Sequence, residues 1–187
     1  MLFNNSGNLF RKPDKKINTN FAKYINERLL TKREFKEIIF KTYLNNHEES
    51  LKVAEDLFKK KSSSLWTIVT SYYSMFYIAN AIIFKLGYKV GDKIAHKITA
   101  DALIVLTRNK LKQSIIESYE KASEEALELS DNLLESFDYE RNKRSRIQYH
   151  TTEAIKQNKA ETSLNRARLF AFEIKKLFAS ANKVIKQ

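Results

Sequence analysis

Between Lys61 and Lys85 the chain carries no charged residue, although charged residues make up 30% of its 187 positions. The run from Leu65 to Leu86, LWTIVTSYYSMFYIANAIIFKL, is long enough for about six turns of helix and is apolar or aromatic nearly all round. Every other segment is charged on one face and apolar on the other. A helix without a polar face, among helices that have one, belongs at the centre of a bundle. About 20 uncharged residues would also just cross a bilayer. However, Thr67, Thr70, Ser71, Ser74 and Asn80, with Trp66, Tyr72, Tyr73 and Tyr77, lie inside the run and not at its ends. That mixture inserts poorly and no second such run exists, so the expectation is a buried core helix and no membrane.

Three Gly and one Pro are very few for this length. Sheet proteins need turn residues, so their scarcity points to long helices with few connections. An apolar fraction of 43%, with 12 Phe and 9 Tyr, is ample for a packed core. The absence of Cys removes disulfides, thiolate metal sites and Cys nucleophiles, and it suits a cytoplasmic protein. The opening residues MLFNNSGNLFRKPDKK lack the continuous apolar core of a signal peptide.

Taken in order, residues 1–30 read as a partly ordered N-terminal arm with a short helix near Phe21 to Leu30, and residues 31–187 as a helical bundle. Thr31-Lys-Arg-Glu34 has the capping-box pattern of a helix start. Phe35, Ile38, Ile39, Tyr43, Leu51, Ala54, Leu57 and Phe58 follow at helical spacing, with Asn45-Asn46-His47 expected to loosen the middle. Lys59 to Ser64 reads as a polar turn. Gly87 and Gly91 close together mark another turn after the central helix. A third helix is expected from about Ile94, weakening near Asn109 to Ser114, and an acidic helix from about Ile115 to Asn142. A last helix starts near Asn158, with Leu164, Ala167, Phe170, Ile174 and Leu177 down one face. No strand and no internal repeat is apparent. The class is all-α, an up-and-down bundle of about five helices.

The net charge of +12 is unevenly placed: residues 119–140 carry eight acidic groups against one Lys, and residues 141–187 twelve basic against three acidic. Packed helix faces account for most of this, and the surplus favours a polyanionic partner such as RNA. Glycine loops for phosphate are excluded by the Gly count. His47, His96 and His150 are far apart in sequence, which leaves no helical metal pair and no expected cofactor; His47-Glu48-Glu49 reads as solvated. The paired carboxylates Glu124 and Glu128 read as structural, and no Ser stands in a nucleophile elbow. What remains is a basic stretch holding Arg144, Arg146, Tyr149 and His150, with Arg141 and Lys143 as further phosphate contacts. Arg forks onto phosphate oxygens, and His moves protons near neutral pH. Together they could cleave RNA without metal, His acting on the 2′-hydroxyl or leaving oxygen and Arg on the charge building at phosphorus. On an ideal helix Arg144 and His150 lie about 120° apart, so a productive pair needs a helix end or bend. Arg146, four residues before His150, shares its face and is an alternative to Arg144.

Several residues together resemble the HEPN family of α-helical bundles. Ser71-Tyr-Tyr-Ser-Met-Phe76 is similar to the SYYAMF-like second helix of that family, and Ala79, Gly87 and His96-Lys97 follow as in its second and third helices. Arg144-x4-Tyr149 resembles its Arg-x-x-Ala-Asp-Tyr pattern, with Ile147-Gln148 standing where Ala-Asp is commoner. Glu153-Ala154 and the Ala167 to Leu177 face come in the expected order, so the likeness spans roughly residues 40–180. The resemblance implies a homodimerising bundle, often an RNA-cleaving toxin or defence nuclease frequently paired with a nucleotidyltransferase antitoxin. It implies a catalytic Arg, four to six residues, then His, a spacing that Arg144 and His150 fit, each chain supplying half a site. Because many such bundles are inactive, it equally implies a binding module for a nucleotide, RNA or a nucleotidyltransferase partner. Tyr72, Tyr73 and Tyr77 read as core or dimer-interface aromatics, and His96 as capping or packing the start of the third helix.

Overall fold

The computed structural model describes the backbone of residues 15–107, 110–142 and 157–184, and their side chains except in 131–142 and 179–184. The elements are α1 Lys15–Asn26, β1 Leu30–Lys32, α2 Glu37–Lys59, α3 Ser64–Lys85, β2 Tyr88–Val90, α4 Ala95–Leu106, α5 Gln113–Asn142 and α6 Gln157–Val184. The class is all-α, as expected, with six helices among the described residues.

The uncharged run is α3, and it packs against α2, α4, α5, α6 and β2. Ser63 caps its start, its Oγ accepting from Trp66 N at 3.2 Å. Ile68, Met75, Ile78 and Ile83 are fully buried along it. By length and composition alone α3 could cross a membrane, but 78% of its apolar window is buried inside the bundle. Its lack of charge is met by protein on nearly every side.

Contacts along α3 fix the direction of its neighbours. Phe40 and His47 of α2 meet Phe84 and Ser74, so α2 runs antiparallel to α3. Ser64 Oγ donates to Gln157 Oε1 at 3.0 Å, and Phe178 packs on the Phe40–Ala81–Phe84 cluster, so α6 runs parallel to α3. Arg166 pairs with Glu125 and Phe170 stacks near Tyr119, so α5 is antiparallel to both α3 and α6. The four long helices therefore alternate up and down, with α1 and α4 on one flank.

Four expectations need correcting. The expected N-terminal arm contains α1, which begins earlier than the expected helix near Phe21 and buries Ile17 and Tyr24 in the main core. A two-stranded antiparallel sheet is present, with Leu30, Thr31 and Lys32 opposite Val90, Lys89 and Tyr88. Thr31 is consequently part of β1 and not a helix cap: α2 starts six residues later, at Glu37, behind Lys36, with no side-chain cap. The strand pairing recruits Thr31 because Leu30 and Val90 both find the core there. Gly87 makes the connection from α3 with φ +90°, and a Cβ at Gly91 would come within 3.1 Å of Leu29 O; both positions need glycine.

The fourth correction concerns His47. The helix is unbroken at Asn45-Asn46-His47, and the His47 side chain is fully buried. Its Nδ1 lies 3.1 Å from Ser74 O and 2.8 Å from Ser74 Oγ. A carbonyl can only accept, so Nδ1 carries the hydrogen, and Nε2 is left as a buried acceptor without a partner. Burial pushes the His47 pKa below its ordinary value of 6.5, Lys175 pushing the same way against the Ser74 carbonyl and Glu48. On the flank, the buried Asp101 of α4 accepts from Tyr24 Oη at 2.9 Å and Asn20 Nδ2 at 3.1 Å, which fastens α1 to α4. Burial, and then the bond to Asp101, raises the Tyr24 hydroxyl to about 12.

Two outcomes follow for stability. Tyr24→Phe removes one bond to a buried carboxylate and should cost about 1.5–3 kcal/mol in chemical denaturation, with faster hydrogen exchange in α1. For His47, the folded pKa lies below the unfolded one, so the unfolded chain binds the extra proton. The stability this group confers is full above about pH 6.5 and is lost as pH falls below it. Melting curves between pH 7.5 and pH 5 should show a shallower decline for His47→Gln than for wild type.

Candidate functional site

The described residues bring one polar cluster to the bundle surface, where α3, α4 and α5 meet. Its position depends on a backbone irregularity. Ile94 adopts a left-handed conformation, φ 45°, with no side-chain cap for the helix it precedes. A β-branched residue in this region is strained by about 1–3 kcal/mol. The turn delivers His96 into the first turn of α4, against the middle of α3. His96 Nδ1 lies 2.6 Å from Tyr72 Oη, and Ser123 Oγ of α5 donates to Tyr72 Oη at 3.0 Å.

Ser123 donates to Tyr72, which leaves the Tyr72 hydroxyl its own hydrogen to give to His96 Nδ1, the arrangement that suits a neutral imidazole. The neutral ring then carries its hydrogen on Nε2. Burial holds His96 below its usual pKa, and burial raises the Tyr72 hydroxyl against the lowering effect of Ser123. Tyr119 lies behind Tyr72 with its hydroxyl buried, raised well above the usual range by desolvation and without a well-formed hydrogen bond. Around the imidazole, Phe76 stands at 4.6 Å between ring centroids, Tyr72 at 5.5 Å and Tyr73 at 6.0 Å. Tyr77 stacks on Tyr73 and Phe76. The cluster offers one N–H donor in an aromatic surround. It can stack and hydrogen-bond a ligand, and a neutral imidazole there can exchange a proton.

Trp66, Tyr73 and Tyr77 recur at spacings of seven and four along α3, on its one outward-facing side, and Trp66 is 52% exposed. His96 packs the start of α4, the third helix of the sequence reading, without capping it. Ser123 and Tyr119 were missed: neither has a local signal, and only the packing of α5 onto α3 brings them to Tyr72.

Of the residues expected to carry chemistry, Arg141 is in the last turn of α5. Lys143, Arg144, Arg146, Tyr149 and His150 lie outside the described residues, in the connection from α5 to α6. The ends of that connection are placed by helix register. With Glu125 opposite Arg166 and Tyr119 opposite Phe170, Gln157 falls opposite a position near 133, so α5 runs past the start of α6 by roughly two turns. Along α5, Ser123 and Asn142 are about 28 Å apart at 1.5 Å per residue. Within one chain the His96 cluster is thus distant from the C-terminal end of α5. Part of the basic C-terminal third is neutralised by packing, through Arg166 to Glu125 at 2.9 Å and Arg168 to Glu55 at 2.8 Å. No group of three or more potential metal-ligating His, Asp or Glu side chains occurs among the described residues.

Comparison with protein-family models finds no matching family, and comparison with curated proteins finds no match.

The His96 assignment is testable by proton NMR. In wild type the ring should titrate below 6.5, and Tyr72→Phe should move its midpoint upward by removing a donor that favours the unprotonated ring. A wild-type midpoint above 6.5 would mean that the ring sits beside an anion and not in a desolvated aromatic surround.

Proposed function

We propose that this chain is a HEPN-like, metal-independent endoribonuclease, the toxin component of a toxin–antitoxin or defence module, in which Arg144 and His150 act at a homodimer interface. The observation that carries the reading is convergence. Tyr72, Phe76 and His96, three of the residues that carry the family resemblance, pack as one hydrogen-bonded and stacked unit. The all-helical architecture supports it, and so does the alternation of α2, α3, α5 and α6. In this reading the helices α5 and α6 present the basic connection Arg141 to His150 at one end of the bundle. The half-exposed aromatics Tyr73 and Tyr77, with Trp66, support a second copy against the outer side of α3.

The chemistry is in-line attack of the ribose 2′-hydroxyl on the adjacent phosphorus. His150 accepts the 2′-hydroxyl proton, and the same residue of the second copy returns a proton to the departing 5′-oxygen. Arg144 holds the non-bridging oxygens as their charge grows. The products are a 2′,3′-cyclic phosphate and a free 5′-hydroxyl. A nucleotidyltransferase acts as the antitoxin partner in this reading. The competing reading is a non-catalytic module that binds nucleotide, RNA or such a partner, and the same charge surplus supports it.

Purified protein incubated with RNA in EDTA separates the two. Wild type should cleave, while His150→Ala and Arg144→Ala should each lose at least a hundredfold in rate, the scale of a lost general base or charge-stabilising group. Intact RNA with wild type leaves only the binding module, and cleavage by both variants at the wild-type rate removes Arg144 and His150 from the chemistry. Loss in Arg146→Ala with Arg144→Ala unaffected would move the cationic role to Arg146.

A further inference from the structure

The end of the bundle opposite the start of α6 holds a concentration of positive charge. A cleft of about 490 Å³ opens between the two-stranded sheet and the start of α2. Its walls carry Lys32 of β1, Arg33 and Lys36 of the segment leading into α2, and Lys89 of β2, against a single carboxylate, Glu34. Among the described residues none of these four cations has a carboxylate within salt-bridge distance. Other exposed Lys and Glu side chains here do pair, Lys41 with Glu37 and Lys23 with Glu27 for example.

The fold holds this charge together. Lys32 and Lys89 come from strands that pair antiparallel, and Arg33 N donates to Gly87 O at 2.8 Å, which extends the ladder and fixes the turn toward Lys36. Lys32 and Lys89 on the strands, with Arg33 and Lys36 on the segment into α2, are like charges lining one cleft; they repel one another, and an anion relieves that repulsion. The floor is apolar, formed by Ile39 and Phe84, and beyond the lining Phe35, 42% exposed, stands 6.0 Å from Phe84 between ring centroids. Lys85 lies over the Phe35 and Phe40 rings at 5.9 and 5.0 Å, adding a fifth cation at the edge.

We propose that this cleft is a binding site for single-stranded nucleic acid, with Lys32, Arg33, Lys36 and Lys89 on consecutive phosphates and Phe35 as a stacking face for a base. Cations along a groove beside an exposed ring are the combination that holds a strand without reading its sequence. α3 has 22 residues, about 33 Å at 1.5 Å per residue, and this separates the cleft from the start of α6. None of the residues Arg144 to His150 contributes to this site, so it stands whether or not they cleave RNA; it shares with the proposed function only the class of ligand.

The test is fluorescence anisotropy with a labelled 12-nucleotide oligouridylate, in a His150→Ala background so that binding is read without cleavage. Lys36→Glu/Lys89→Glu should weaken binding at least tenfold and reduce the slope of log affinity against log salt by about 1.4, since each single-strand phosphate contact contributes about 0.7. Lys36→Gln/Lys89→Gln should weaken it less, with an unchanged melting curve. Lys52→Glu, an exposed charge on α2 outside the cleft, should have little effect. Equal loss with Lys52→Glu would reduce the effect to net charge, and unchanged affinity in both cleft variants would leave the cleft without a role; either overturns the proposal. Displacement of the oligomer by uridine monophosphate at equal concentration would make this a mononucleotide pocket and overturn the strand assignment. Cleavage by wild type is scored separately, so a nuclease that ignores the cleft and a cleft on a non-nuclease give different results.

Discussion

Burying α3 on nearly every side is the constraint from which the remaining structure follows. A helix of this length brings polar side chains inside with it, and each buried hydroxyl or amide costs free energy unless it finds a partner. Thr67 bonds back to Ser63 O within its own chain segment. The others are met by different neighbours: Ser74 by His47 of α2, Asn80 by Thr99 of α4, and Tyr72 by His96 of α4 and Ser123 of α5. These bonds key the surrounding helices to particular levels of α3. Apolar packing alone would tolerate a slide of one turn; a directional bond to a buried group does not.

The same requirement explains why the cluster at His96 looks both structural and capable of chemistry. Tyr72 must be satisfied because it is buried, and the partner that satisfies it is an imidazole at the surface. The strained left-handed backbone at Ile94, just before this imidazole, is a further cost of the arrangement. Among the described residues, buried Nε2 of His47, Oγ of Ser71 and Ser163 and Oη of Tyr119 are polar atoms without a well-formed hydrogen bond. All of them lie on or against the central helices.

Charge is distributed by a different logic. The acidic face of α5 and part of the basic face of α6 neutralise each other through Glu125 and Arg166. At the sheet end, by contrast, backbone pairing brings Lys32 and Lys89 onto neighbouring strands with no matching carboxylate. The overall charge of +12 therefore does not describe a uniform surface. Some of it is spent in helix packing and some is left concentrated where a phosphate can use it.

By itself the sequence determined the helical class, the central place of Leu65 to Leu86 and the approximate bounds of the long helices. Those depend on local quantities: periodicity, the scarcity of Gly and Pro, and a run without charge. The tertiary structure decided that Thr31 joins a strand although its spacing to Glu34 suits a helix cap, because Leu30 and Val90 reach the core only when β1 and β2 pair. It decided that His47 is buried despite its two Glu neighbours, because α2 turns that position toward Ser74. Joining Tyr72, His96 and Ser123, and gathering four cations in one cleft, required residues distant in the chain to meet. Such meetings depend on how helices dock, and docking is set by the whole core at once, so no window of sequence contains them.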